Sequence, residues 1–196
     1  MAEATTNNVA NVSSAKGVKG GYIFVAPTGT TLPTDIKTTL DKAFKVLGFI
    51  AEDGYVESME TDSEDMTDMN GELIGSETTS YVESAVFTLA EIKAQTLKFM
   101  YGDANVTDVN GVITVKHNSA ARDEWALVLE LVLKNNRRWR KVVPIAKTTE
   151  LGDMTIAVSE LAARETTIKY LTDDSGNTCY DYFESTETAA TTTTKA

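Results

Sequence analysis

Apolar positions along this 196-residue chain follow two periods, and the period of two dominates. Trp125, Leu127, Leu129, Leu131 and Leu133 recur at every second position, the spacing of side chains on one face of a β-strand. Asn135-Asn136 then reads as a turn, with Arg137 to Ile145 returning as the partner strand. Residues 78–89 place Tyr81, Ala85, Phe87 and Leu89 on one side, interrupted by Glu83. Gly20-Gly21 opens the apolar run Tyr22 to Val25, which Ala26-Pro27 closes; this is a strand or an extended anchor. Tyr55 to Thr61 reads as a strand, Asp62 to Gly71 as a loop, and Asn110-Gly111 as a turn into Val112 to Val115. Residues 158–170 begin with a helical pattern and end in β-branched residues. Asp173 to Gly176 predicts a hairpin turn joining Ile168–Leu171 to Cys179–Phe183.

The helical period is confined to two places. Ile36, Leu40, Phe44 and Leu47, joined by Ala43, form one stripe. Thr34 is a good N-cap, Pro33 and Asp35 suit a helix start, and Gly48 suits its end, so the pattern predicts the main helix over 34–47. A shorter helix is predicted over 92–101, carrying Leu97, Met100 and Tyr101. Seven or eight strands with one or two helices define a mainly β chain, a β-sandwich or barrel with a flanking α-helix.

Both ends lack periodicity. The chain therefore divides into a polar arm over 1–19, a β domain over 20–185 and a threonine-rich tail over 186–196. A chain of this length buries about 70% of its unfolded surface and needs no covalent staples. Its single cysteine, Cys179, permits no internal disulfide. Residues 1–19 lack the apolar core of a signal peptide, and no run of about 18 apolar residues is present to span a membrane. The net charge of −11 repels nucleic acid and anionic membrane surfaces in the mean field.

Catalysis finds few parts. A Cys–His pair would have to be built from Cys179 and His117 alone; the first sits in a strand pattern and the second at a strand end beside Asn118-Ser119. These two ligands are too few for zinc. Asp68, Asn70, Gly71, Leu73 and Glu77 match positions 3, 5, 6, 8 and 12 of an EF-hand loop, but position 1 is Met66, whose thioether does not serve a hard cation, and the flanks read as strands. The glycines near the start match neither phosphate-loop pattern. No catalytic residue, metal or cofactor is expected. Arg137, Arg138, Arg140 and Lys141 surround Trp139, and in a strand Arg138 and Arg140 face one way while Arg137, Trp139 and Lys141 face the other. That split weakens the cluster as a nucleic-acid platform and suits a solvated edge strand, or a contact with an acidic neighbour.

Gly20-Gly21-Tyr22-Ile23-Phe24-Val25-Ala26-Pro27, Gly29-Thr30 and Leu32-Pro33-Thr34-Asp35 resemble the opening of siphophage major tail proteins, where a helix ending in Leu-Gly and then an Asp-Gly follow, here Leu47-Gly48 and Asp53-Gly54. Gly102 with Asn105-Val106-Thr107, and Glu165 to Ile168 with Asp173 and Gly176, continue the likeness in order, over about residues 16–185. The resemblance implies a virion tail protein made in the host cytoplasm; because the chain ends soon after the matching core, the immunoglobulin-like domain that some relatives carry is not expected. Its subunits would close as hexameric rings and stack into a tube that conducts DNA and the tape measure protein. Tail-tip and tail-terminator proteins are the implied end partners. Lumen-lining candidates are Glu57, Glu83 and Glu165. Inter-ring candidates are Lys16 and Lys19 on the arm with Asp62, Glu64, Asp65 and Asp68 on the loop 56–77. Arg137, Arg138 and Arg140 are candidates for charge contacts between subunits. The alternatives are a tube or ring protein of a contractile injection machine and a β-sandwich adhesin or glycan-binding module.

Overall fold

The computed structural model describes residue 7 and residues 9–185, so the outermost part of the expected arm and the whole expected tail lie outside the described residues. Eleven strands and one α-helix follow in the order β1 (Ala15–Gly17), β2 (Ile23–Pro27), β3 (Lys45–Val46), β4 (Ile50–Thr67), β5 (Leu73–Leu89), α1 (Ala94–Tyr101), β6 (Val106–Val109), β7 (Val112–Val115), β8 (Glu124–Leu133), β9 (Arg138–Leu151), β10 (Arg164–Leu171) and β11 (Tyr180–Phe183). Nine strands make one sheet in the order β3-β2-β8-β9-β10-β5-β4, with β1 added to β8 and β11 to β9; β6 and β7 pair separately. The fold is mainly β, as the alternating pattern predicts.

Trp125 to Glu130 of β8 are all buried. One face of the strand sends Trp125, Leu127 and Leu129 into the main core with Phe87, Val143 and Ile168. The opposite face sends Ala126 and Val128 into a second cluster with Phe44 and Val142. A strand covered on both faces reads as continuously apolar, which is why Ala126 and Val128 stand between the alternating large residues. Residues 15–17, part of the stretch read as an arm, pair with β8 from Ala15↔Leu133 to Gly17↔Leu131.

The principal helix expected over 34–47 does not form. In a helix the carbonyls of Asp35 and Thr38 would accept amides four residues on. Here the Arg140 guanidinium takes both, Nη1 lying 2.5 Å from Asp35 O and 2.7 Å from Thr38 O. Asp35 Oδ1 meanwhile accepts from the amides of Lys37 and Thr38, a local alternative to the helix ladder. The apolar stripe still reaches the interior: Leu40, Ala43 and Phe44 pack in the second cluster and Leu47 in the main one.

The flanking helix is α1. Its Phe99 is fully buried, with ring centroids 6.2 Å from Phe87 and 6.4 Å from Trp125. Thr96 donates to Leu47 O (2.5 Å) and Thr148 to Phe99 O (3.2 Å), which tie the helix to the chain on either side. Gly102 ends it at φ 94. Phe99→Ala is expected to cost about 3–5 kcal/mol through lost burial and a residual cavity, read as a lowered midpoint in urea unfolding.

The hairpin expected between residues 168–171 and 179–183 is also absent, although its turn is present: Gly176 donates to Asp173 O and Asp173 to Asn177 O. Both edges of β10 are already taken, by β5 and by the far part of β9. β11 therefore pairs with what remains of that edge of β9, from Tyr180↔Val142 to Phe183↔Trp139. By the same token residues 137–145 are no edge strand; β9 is flanked by β8 on one side and by β10 and β11 on the other.

Asp173 anchors this turn. The Tyr180 hydroxyl donates to it at 2.7 Å and the amides of Asn177 and Ser175 at 2.9 Å, which hold its carboxyl below the usual range. A depressed folded-state pKa contributes stability that is present above the unfolded value, near 3.9, and is lost as pH falls through the folded one. Asp173→Asn is therefore expected to lower the melting temperature at pH 6, and the gap to wild type should close below about pH 4. A gap unchanged down to pH 2 would contradict this.

Candidate functional site

β4 and β5 build the most prominent surface of the subunit. They pair from Tyr55↔Phe87 out to Thr67↔Leu73. Near the body, β10 covers the other edge of β5 as far as Ser84, and Ala85, Phe87 and Leu89 are buried. Beyond Ser84 only β4 accompanies β5, so the pair leaves the body as a two-stranded ribbon. At a rise of about 3.3 Å per residue the free part is roughly 30 Å long.

The tip is a turn over residues 68–72. Asp68 Oδ1 accepts from the amides of Asn70 and Glu72 at 2.8 Å each, and Gly71 at φ 83 supplies the left-handed residue. The expected loop over 62–71 is thus mostly strand, with only its end turning. Asp68, matched to a calcium-loop position by spacing, spends its carboxylate on its own turn. Asn70-Gly71 is the signal that points to a hairpin here; polar residues on both faces of both strands hide the alternation.

The ribbon carries Glu60, Asp62, Glu64, Asp65, Asp68, Glu72 and Glu77, with no basic side chain between residues 57 and 77. Large apolar side chains stand among these charges: Met69 is 98% exposed, Ile74 70%, Leu73 63% and Met59 62%. An isolated two-stranded hairpin is marginal in water, and exposed apolar side chains beside a free strand edge mark a surface built for a partner. Asp62, Glu64 and Asp65 lie exposed on this ribbon, while Lys16 on β1 and Lys19 in the following turn are exposed on the body.

The remaining candidates separate. Glu165 is exposed on β10. Glu83 is only 7% exposed and accepts a short hydrogen bond from the Thr178 hydroxyl, so it lies inside the subunit. Arg140, 4% exposed, is committed within the chain, with Nη2 2.5 Å from Glu130 Oε1 and Nε at 2.8 Å. Arg137 and Arg138 meet Glu184: Arg137 Nε donates to its carbonyl and the Arg138 amide to its carboxylate.

Lys141 points to the opposite face from Arg140, as the alternation predicts. Its ammonium lies 2.9 Å from Glu57 Oε1 and 2.9 Å from Asp181 Oδ2. Burial of the amine lowers its pKa, but the hydrogen bonds it donates to Asp181 and Glu57 outweigh that, and the net shift is upward. Glu57 Oε1 also accepts from the Tyr170 hydroxyl at 2.8 Å, and Tyr170 and Tyr55 share a hydrogen bond of 2.5 Å. Burial raises both phenols. Trp139 stacks on Phe183 and donates its indole N–H to Asp181 Oδ1 at 2.6 Å. Sequence reasoning missed this network because its members come from four separated strands. Burial pushes the Cys179 thiol up to about 11, which keeps it protonated beside Lys141. His117 packs edge-on against Tyr101, a different neighbourhood.

Comparisons with known proteins place the chain in a family. The profile of a family described as phage tail tube protein matches residues 5–194. A search of curated proteins finds no match. Among solved structures the fold is similar to the tube-terminating cap of the anti-feeding prophage, with 9% identity, TM-score 0.44 and coverage of 86% of this chain and 93% of that one. It is also similar to the sheath/tube terminator of an extracellular contractile injection system, with 10% identity, TM-score 0.42 and coverage of 85% and 96%. With a match over nearly its whole length, this chain belongs to the phage tail tube protein family.

Proposed function

We propose that the chain is the major tail tube subunit of a siphophage, closing as hexameric rings that stack into a hollow tube for DNA. The observation that carries this reading is the acidic ribbon, which leaves the subunit with an exposed apolar surface and an unpaired strand edge. A ring neighbour that pairs with such an edge removes it from solvent, and contacts that close in one direction and stack in the other give a tube. The ribbon reaches the next ring and meets Lys16, Lys19 or other bases there, with Asp62, Glu64 and Asp65 as its contact charges. The arm over 1–19 works with it and the β domain over 20–185 forms the wall.

Glu165 is the lumen candidate best placed in the isolated subunit, because Glu57 and Glu83 are held in bonds of its own. An acidic bore suits a conduit: each phosphate neutralised by a basic wall would add affinity through counterion release, and the DNA would stick. Tape measure protein and DNA pass without specific binding, and tail-tip and terminator proteins cap the two ends. The tube is part of the virion tail and assembles in the host cytoplasm. Sedimentation velocity across a concentration series tests the ring. Six-subunit species and heavier multiples are expected, and a closed dimer as the end state would contradict it. Reversing Asp62, Glu64 and Asp65 to lysine is expected to leave rings and abolish their stacking, seen as loss of the heavier multiples.

A further inference from the structure

Lys141 stands apart from the other lysines that form ion pairs among the described residues. Lys93, Lys98 and Lys147 each meet one carboxylate and remain about a third exposed. Lys141 is 5% exposed and touches two. The other buried cation, Arg140, carries a guanidinium, which is no nucleophile at neutral pH. Lys141 and Asp181 are direct cross-strand partners on β9 and β11, so the two side chains leave the same face of the sheet toward each other. The Lys141 ammonium lies 5.8 Å from the centre of the Trp139 ring, which stacks on Phe183, and Tyr170, bonded to Tyr55, donates to Glu57.

We propose that Lys141 and Asp181 become joined by an amide bond that the folded chain forms by itself, with Glu57 carrying the proton. One proton moves first: the ammonium gives it to Oδ2 of Asp181, leaving a neutral amine beside a neutral acid. The amine nitrogen then attacks the carboxyl carbon of Asp181. Charge develops on Oδ1, which already accepts the indole N–H of Trp139 at 2.6 Å. Glu57, 2.9 Å from the same nitrogen, takes its second proton and returns it to Oδ2, which departs as water. One N–C bond forms, one C–O bond breaks, one water leaves, and nothing is oxidised or reduced.

Physical chemistry favours the exchange in this position. Fixing two reactants in contact replaces a bimolecular encounter by an intramolecular one, with effective concentrations of order 10⁵–10⁸ M. Keeping the Lys141 ammonium out of water is costly, while its two carboxylate partners stay about a third exposed. The amide removes one charge of each sign and leaves Glu57 hydrogen-bonded to Tyr170. Because the ion pair holds Lys141 protonated, the neutral pair is a minor state and the bond accumulates slowly after folding. Its result is a permanent lock of β11, a strand of only four residues, onto the central strand β9.

Intact-mass spectrometry of the purified full chain, fresh and after prolonged incubation, tests this. The expected result is a mass about 18 Da below that of the sequence, one water, growing with time. Trypsin should then release residues 141–147 joined to 170–195 as one branched peptide. Lys141→Met and Asp181→Ala should keep the full mass, and Glu57→Gln should form the bond at least tenfold more slowly. Full mass in the aged wild-type chain overturns the proposal, as does a water loss that persists in Lys141→Met, since the Asp53-Gly54 pair loses water by ring closure on its own backbone. The peptide map of the wild type decides the matter even if the variants do not fold. None of these outcomes depends on tube assembly.

Discussion

Glu130→Ala is expected to destabilise the subunit by about 3–5 kcal/mol, because it leaves the Arg140 guanidinium buried without a counter-charge. The pair is well shielded, with side chains 4% and 11% exposed, and Glu130 Oε1 meets both Nε and Nη2 of the arginine. Replacing both partners by apolar residues often restores stability at such sites. Here it should restore it only in part. Arg140 also satisfies the carbonyls of Asp35 and Thr38 through partly buried bonds, and a hydrogen bond to a charged group contributes about 1.5–3 kcal/mol. Glu130→Leu with Arg140→Met should therefore remain clearly less stable than wild type in urea unfolding, and protease cleavage within 34–46 should quicken. Full recovery by the double variant would show that the segment holds its irregular path without the arginine.

Removal of the ribbon should have the largest effect on assembly and a small one on the subunit. Met59 and Glu83 are direct partners across the two strands, so a two-residue Asn-Gly turn can join them and delete residues 60–82 without disturbing the register below. The part that packs in the core, Ala85, Phe87 and Leu89, is retained. The shortened chain is expected to melt cooperatively within a few degrees of wild type and to form no tubes at any concentration. Normal tubes from it would remove the ribbon from the account of stacking. An unfolded product would show instead that the ribbon supports its own subunit.

The central sheet is readable where large apolar residues recur at every second position, as Trp125, Leu127 and Leu129 do in β8. Two features defeated sequence reading for physical reasons that the pattern does not carry. The stripe from Ile36 to Leu47 has helical spacing, and its apolar residues do reach the interior. What decides the backbone is a distant arginine that claims two carbonyls, a tertiary effect that no local propensity contains. The ribbon is polar on both faces, and strands without a buried face show no alternation to read. The site candidates divide along the same line. Asp62, Glu64 and Asp65 on the ribbon and Lys16 and Lys19 on the body are exposed. Arg140 and Glu83 were read as surface charges because a buried ionic partner, supplied by another strand, leaves no local trace.

Whether this tail tube family member builds the tube itself is tested most directly by electron microscopy of the purified full chain, fresh and after prolonged concentration, with and without tail-tip complexes as seeds. Hollow rings with sixfold symmetry, stacking into tubes that lengthen from the seeds, are the predicted result. Monomers that neither close into rings nor grow from seeds at any concentration would contradict it.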